Sequence, residues 1–260
     1  MSGYREVFKR KEIKYLIDED RYRKLLPYLE EIAQTDEYGL SRINNIYYDT
    51  RDYRLVRTSM EKPLYKEKLR LRTYGETEDG TNAFIEIKKK YDGIVYKRRI
   101  PGEYKAMFEY LSGKNGLPED SQIAREIEAF KNLYGQLIPA MIIRYDRVAM
   151  AGKEDKDFRV TFDSNIQWSA DSVDLRNNRP GRAVLKPGQY LMEIKISNAF
   201  PMSLSRKLSE LGIFPASFSK YGAGYTDMIK GRSVRASEKQ TIAFPGMSLT
   251  GNIRGEVAYV

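Results

Sequence analysis

Residues 65–74, Tyr65-Lys66-Glu67-Lys68-Leu69-Arg70-Leu71-Arg72-Thr73-Tyr74, contain no Gly or Pro and settle into strict alternation from Lys68 onward. Side chains alternate across a β-strand, so residues two apart share a face. Lys66, Lys68, Arg70 and Arg72 therefore lie on one side, and Leu69 and Leu71 on the other. Two arginines on one face of such a strand require an anion or a carboxylate. Lys66 and Lys68, near the strand's start, read as plain solvent-facing charges.

The same pattern recurs along the chain. Around residues 6–17, Glu12 and Lys14 oppose Ile13 and Ile17. In 83–91, Glu86 and Lys88 oppose Ile85 and Ile87, and in 93–100, Lys97 and Arg99 oppose Ile94, Tyr96 and Ile100. Arg159, Thr161 and Asp163 oppose Phe158, Val160 and Phe162; Glu193 and Lys195 oppose Met192, Ile194 and Ile196. Asp92-Gly93 between two alternating runs is a hairpin signal. Further strands are expected from Ile43 (INNIYYD) and over 141–150.

Any one such strand fits an ordinary half-exposed sheet. Taken together, the polar faces are mostly Arg and Lys with single Glu residues at repeated spacing. The chain also has amphipathic helices that must cover something: one capped by Asp18, with Tyr22, Leu25, Leu29 and Ile32 at helical spacing, then 103–111, 120–134 and 203–211. Helices laid on the apolar faces leave the charges inside. The expected fold is α+β, a closed antiparallel β-barrel with a polar, basic lumen and helices packed outside. Like charges a few ångströms apart there repel by several kcal/mol at an effective dielectric of about 20. Bound anions would offset that repulsion, and Arg and Lys grip phosphate well. Interior Glu residues would then hold a divalent cation against the phosphates.

Composition narrows the chemistry. The chain has 260 residues, 45 Lys+Arg against 36 Asp+Glu, and a formal net charge of +9. That balance favours an anionic partner. There is no Cys and no His, which excludes disulfides, thiolate nucleophiles, imidazole bases and His-ligated metals. Carboxylates, Lys, Arg, Tyr and an oxygen-ligated Mg²⁺ or Mn²⁺ remain. No apolar run is long enough to span a membrane and the N-terminus is no signal peptide, so the expected location is cytoplasmic. No P-loop pattern is present, and no stacking motif marks a nucleic-acid binder despite 20 Tyr. The expected organisation is one domain over 1–230 and a C-terminal extension over 231–260.

The ordered set of motifs resembles the triphosphate-tunnel (CYTH-like) superfamily, and within it the VTC-type polyphosphate polymerases. The resemblance rests on Arg10-Lys11-Glu12-Ile13-Lys14-Tyr15, Tyr47-Tyr48-Asp49, Leu69-Arg70-Leu71-Arg72-Thr73-Tyr74-Gly75 and Phe84-Ile85-Glu86-Ile87-Lys88. It continues through Arg144-Tyr145-Asp146-Arg147, Arg159-Val160-Thr161-Phe162-Asp163, Leu191-Met192-Glu193-Ile194-Lys195 and Ser217-Phe218-Ser219-Lys220-Tyr221. It implies a tunnel of eight antiparallel strands that binds ATP, inorganic polyphosphate or other triphosphates. Carried over by position, Lys14, Arg70, Arg72, Lys88, Arg147, Arg159 and Lys220 would grip phosphates. Tyr145 and Ser219 would add hydrogen bonds, and Glu193 would be the metal ligand. Lys97, Arg99 and Lys195 join the lumen by strand parity, and Glu12 and Glu86 are further candidate ligands for Mn²⁺ or Mg²⁺.

The chain departs from the family pattern in two places. Arg10 stands where other tunnel enzymes have a first glutamate, and Ser217 where some members have a lysine. Eukaryotic relatives carry fused lipid-binding and membrane domains; here, coupling to a membrane exporter would need a separate partner and would make any membrane association peripheral. Three functions remain open: a polyphosphate polymerase, a metal-dependent triphosphatase or polyphosphatase, and a non-enzymatic polyphosphate- or RNA-binding module.

Overall fold

The structure, a computed structural model, describes residues 11–241 apart from 93, 117–119, 156 and 198–199. The chain divides into two compact units, residues 1–225 and 226–260. In chain order the elements are β1 (Lys11–Asp18), α1 (Glu19–Ile32), β2 (Ala33–Asp49), α2 (Arg54–Met60), β3 (Tyr65–Tyr74), β4 (Asn82–Tyr91), β5 (Ile94–Glu103), α3 (Tyr104–Leu111), α4 (Gln122–Tyr134), β6 (Ile138–Gly152), β7 (Arg159–Ser169), β8 (Arg182–Ala183), β9 (Gln189–Ile196), α5 (Met202–Glu210) and α6 (Lys220–Thr241). α6 runs through the expected boundary at residue 231. Arg10, residues 242–260 of the expected extension, and Gly93 of the hairpin signal lie outside the described residues.

All pairings are antiparallel, and the ladder runs β1-β9-β7-β6-β2-β3-β4-β5, with β8 appended to β7. Among the described residues β5 and β1 do not pair. The sheet is thus open where a closed barrel was expected. The physical reason lies in β5, which contains Pro101 and the run Lys97-Arg98-Arg99. A missing backbone donor and dense charge are features of unpaired edges. The sheet still curls far enough for β4, next to one end, to meet β1 at the other through side chains: Lys88 Nζ lies 3.4 Å from Glu12 Oε2.

The alternation read from the sequence places the core. Leu69, Leu71, Ile85 and Ile87 pack with Tyr104, Met107, Ile127 and Phe130 from α3 and α4. Ile17, Val160 and Ile194 pack with Leu25, Leu29 and Leu204 from α1 and α5. Each such side chain contributes roughly 1.5–3 kcal/mol on burial, so the helices hold the outer faces and leave the inner face polar. Asp18 caps α1, its carboxylate accepting from Arg21 N at 2.9 Å. β2 is far longer than the seven residues its apolar pattern marks. Its first half has few buried side chains and is held as a strand by pairing with β6, across a bulge between Thr35 and Leu40.

α2 was not anticipated. Its own N-cap, Tyr53, offers no capping side chain. The cap comes from Asp49, fully buried at the end of β2, which accepts from Leu55 N at 2.8 Å and Val56 N at 3.0 Å. That spacing matches no sequence-local capping signature. Among the described residues no helix is long and apolar enough to cross a membrane.

Candidate active site

The inner face gathers charged residues from β1, β3, β4, β5, β6, β7 and β9, with Asn45 and Tyr47 from β2, and three groups of ion pairs organise it. The first centres on Glu86, which is 1% exposed. Register sets Arg70 directly opposite it. Arg70 Nη2 lies 2.7 Å from Glu86 Oε2, Arg72 Nη1 lies 3.7 Å from the same oxygen, and Lys97 Nζ lies 2.5 Å from Oε1. Arg70 also donates to the Tyr47 hydroxyl at 3.2 Å. Arg72 donates to Asn45 Oδ1 at 2.9 Å and to the Tyr145 hydroxyl at 3.2 Å. Burial alone would raise the Glu86 carboxyl pKa; Arg70, Arg72 and Lys97 outweigh it and hold the group far below the usual carboxylate range. Burial likewise raises Tyr47, but Arg70, Lys68 and Arg72 bring its phenol down to about 8.

The second group joins Asp163 on β7 and Glu193 on β9. Arg147 grips Asp163 bidentately at 2.6 and 2.7 Å. Lys220 Nζ sits between the two carboxylates, 2.5 Å from Asp163 Oδ2 and 3.1 Å from Glu193 Oε1. Lys14 and Arg147 complete the surroundings of Glu193 at 3.7 and 3.9 Å. Burial opposes ionisation of Glu193, yet Lys220, Lys14 and Arg147 keep it charged and its pKa well below normal. Asp163 is lowered in the same way by Lys220 and Arg147 against its burial. Lys220 is desolvated, but Asp163 and Glu193 raise its pKa. The Tyr145 ring underlies the cations, its centroid 4.6 Å from Lys220 Nζ and 5.2 Å from Arg147 Cζ.

The third group is Glu12, paired with Lys14 at 3.5 Å and Lys88 at 3.4 Å. Burial raises its pKa, but attraction, led by Lys88, leaves the net shift downward. Lys14 Nζ thus sits between Glu12 and Glu193, and also donates to the Phe218 carbonyl at 3.1 Å.

Lys220 reaches this chemistry through α6. Tyr221, 2% exposed, donates to Asp49 Oδ2 at 2.8 Å and stacks on Tyr47 with centroids 4.6 Å apart. The residue that caps α2 therefore also anchors the first turn of α6, where Lys220 enters the lumen. The Ser219 hydroxyl accepts from Lys68 Nζ at 3.1 Å and from Gly222 N at 3.1 Å.

The fold thus brings Lys14, Arg70, Arg72, Lys88, Arg147, Lys220, Tyr145, Ser219, Lys97, Glu12, Glu86 and Glu193 to one lumen. Lys195 stands beside them, half-buried, opposite Glu12 and Arg159. Arg159 is exposed at the start of β7, and Arg99 is exposed, its guanidinium 4.7 Å from the Phe84 ring centroid. Lys66 and Lys68 are not plain surface charges. Both line the lumen, because parity with Arg70 and Arg72 decides their face whatever their position along the strand. Sequence reasoning gave no role to Asn45, Tyr47, Asp49 or Tyr221. The polar residues of INNIYYD in an otherwise apolar strand were the available signal for the first three.

Among the described residues no three acidic side chains cluster as a ready-made metal cage. Glu12 and Glu193, which share Lys14, form a donor pair suited to a divalent cation that takes its remaining ligands from phosphate oxygens and water. Glu86, 1% exposed and held by Arg70 at 2.7 Å and Lys97 at 2.5 Å, is suited instead to orienting Arg70 and Arg72.

Compared with curated protein sequences, the chain finds no significant match. Among solved structures it is similar to HpAC1 from Hippeastrum, provisionally assigned as an adenylyl cyclase and found to have a dominant triphosphatase activity. The TM-score is 0.50 at 16% identity, over 83% of this chain and 95% of that one. A protein from Bacillus halodurans, provisionally assigned as an adenylate cyclase, aligns with a TM-score of 0.49 at 13% identity, over 81% of this chain and 95% of that one. At such identities the HpAC1 likeness shows a shared fold. The family model of the VTC domain matches residues 9–229, and the chain belongs to that family.

Proposed function

We propose that this chain is a polyphosphate polymerase that transfers the γ-phosphate of ATP onto a growing inorganic polyphosphate chain inside the basic lumen. The observation that carries the reading is the state of the inner carboxylates. Glu86, Glu193, Asp163 and Glu12 are each held by at least two cations, and all four have lowered pKa values. A general base for water works best with a pKa near the operating pH, and these groups are driven away from it. An acceptor that is already an anionic phosphate needs no base.

Arg70, Arg72, Arg147 and Lys220 supply the charge. A loose phosphoryl-transfer transition state spreads negative charge over non-bridging oxygens, and fixed donors in a desolvated lumen stabilise it without reorganising. Glu86 and Asp163 keep those cations in place before substrate arrives. Glu193 and Glu12 would hold Mn²⁺ or Mg²⁺, which when bound supplies positive charge to the leaving diphosphate. Substrate entry lets phosphate oxygens replace part of the carboxylate contacts, so the resting ion pairs are a preorganised, exchangeable shell.

A triphosphatase is the second reading, favoured by the activity of the fold relative HpAC1. Incubation of purified protein with ATP and Mn²⁺, with Arg70→Ala and Glu193→Ala in parallel, separates the readings. Long phosphate chains with ADP, lost in both variants, support the polymerase. Orthophosphate from tripolyphosphate without chains overturns it in favour of the triphosphatase. Polyphosphate binding with no product would leave a binding module.

A further inference from the structure

The carboxylates that neutralise the lumen are unevenly distributed. Along β3 and β4 the register pairs Arg70 with Glu86, a compensated pair. The neighbouring inner pairs are Lys68 with Lys88 and Lys66 with Lys90. Like charges directly opposite on adjacent strands are destabilising, and here two such pairs follow one another along the same face. Lys88 finds Glu12. Among the described residues Lys66 bonds to the Ser59 carbonyl at 3.2 Å and Lys68 to Ser219 Oγ at 3.1 Å. Neither has a carboxylate in ion-pair contact among the described residues.

We propose that Lys66, Lys68, Lys88 and Lys90 form a subsite for the acceptor, a linear inorganic oligophosphate, separate from the carboxylate-compensated Arg70/Arg147/Lys220 centre. This assignment rests on the polymerase reading for the word acceptor, but the binding it describes does not. Lys88 apart, this ladder of like charges has no carboxylate in contact among the described residues, and an anion laid along it would relieve the repulsion. Lysines are flexible point charges that suit a featureless polyanion. The aromatic pair at this end, Tyr65 opposite Tyr91, falls on the other face by parity, and the Tyr47 ring beside Lys68 is already stacked on Tyr221.

Lys68 gives the subsite a signature. Burial pushes its ammonium down to about 8; Tyr47 on β2 opposes that, while Lys14 on β1, Lys88 on β4 and Lys66 on its own strand add to it. Ser219, which accepts its hydrogen bond, is neutral, and Arg70, two residues along the same face, is a further cation. A bound phosphate chain favours the charged form, so affinity should fall as the pH rises through this range.

The test is calorimetric titration of the full chain with inorganic polyphosphate and, separately, with ATP, divalent cations being chelated to suspend turnover. Lys68→Met should weaken polyphosphate binding roughly tenfold to hundredfold near neutral pH and leave ATP binding unchanged. Lys68→Arg, charged at every working pH, should remove the loss of affinity seen in the wild type between about pH 7 and about pH 9. Tyr47→Phe and Lys97→Arg, which remove the two other lumen groups brought to about 8, should each retain that loss. The melting temperature of ligand-free Lys68→Met should hold or rise, since repulsion is relieved. Equal losses for ATP and polyphosphate would overturn the assignment by putting the nucleotide on Lys68. Loss for neither would overturn it by making the ladder incidental. If the polymerase reading alone fails, no chain forms in the turnover assay while the Lys68 effect on binding persists.

Discussion

Glu86→Gln probes the organisation of the lumen most directly. The substitution keeps shape and volume and removes one charge. Glu86 is 1% exposed, and its partners Arg70 and Arg72 are 19% and 7% exposed at their side chains; Lys97, at 39%, is screened and contributes little. Removing one partner of a buried ion pair costs on the order of 3–5 kcal/mol, because the remaining charges stay desolvated. For a domain of this size that corresponds to a fall in Tm of roughly 6–20 °C. The pH dependence has a definite sign. The Glu86 pKa is depressed in the folded state, so its stabilisation is fully present above the unfolded carboxylate value. It is lost only as the pH falls through the much lower folded value. Scanning calorimetry of both proteins from about pH 4.5 to about pH 8 should therefore show a constant gap. Tripolyphosphate should raise the Tm of the variant more than that of the wild type, since the anion replaces the missing carboxylate for Arg70 and Arg72. A variant within about 0.5 kcal/mol of wild type, with no larger gain from tripolyphosphate, would refute the claim that Glu86 holds these arginines in place.

Further expectations follow from the same geometry. Lys220→Met removes the cation shared by Asp163 and Glu193 and leaves Glu193 only the longer contacts to Lys14 and Arg147, so its stability loss at neutral pH should shrink on acidification towards about pH 5 as Glu193 takes up a proton; calorimetry across that range checks it. Tyr221→Phe removes the hydrogen bond to Asp49 and should cost about 1 kcal/mol in urea denaturation, with a parallel drop in turnover because Lys220 is the adjacent residue. Gly181→Ala places a Cβ 2.5 Å from the Trp168 carbonyl oxygen, a backbone clash that should cost roughly 1–3 kcal/mol, read from the same denaturation curves. Chelation of divalent cations should stop product formation but leave the Tm unchanged, because Lys and Arg already neutralise every inner carboxylate described above.

The alternation of charge and hydrocarbon was legible in the sequence because it is a local property: the pleat sends successive side chains to opposite faces whatever the strand pairs with. That was enough to sort Arg70 from Leu71 and Glu86 from Ile85, to expect helices over the apolar faces, and to foresee a basic interior. The Asp18 cap was legible for the same reason, its partner being three residues away. Partners far apart in sequence were not. Glu86 takes Arg70 and Lys97 from either side only because β4 lies between β3 and β5. Lys220 meets Asp163 and Glu193 only because Tyr221 is tied to Asp49, 172 positions away. The open edge between β5 and β1, the length of β2 and the capping of α2 likewise depend on which backbone groups find partners, and that is a tertiary outcome. Parity told which charges face inward; packing alone decided which of them are neutralised and which are left for an anion.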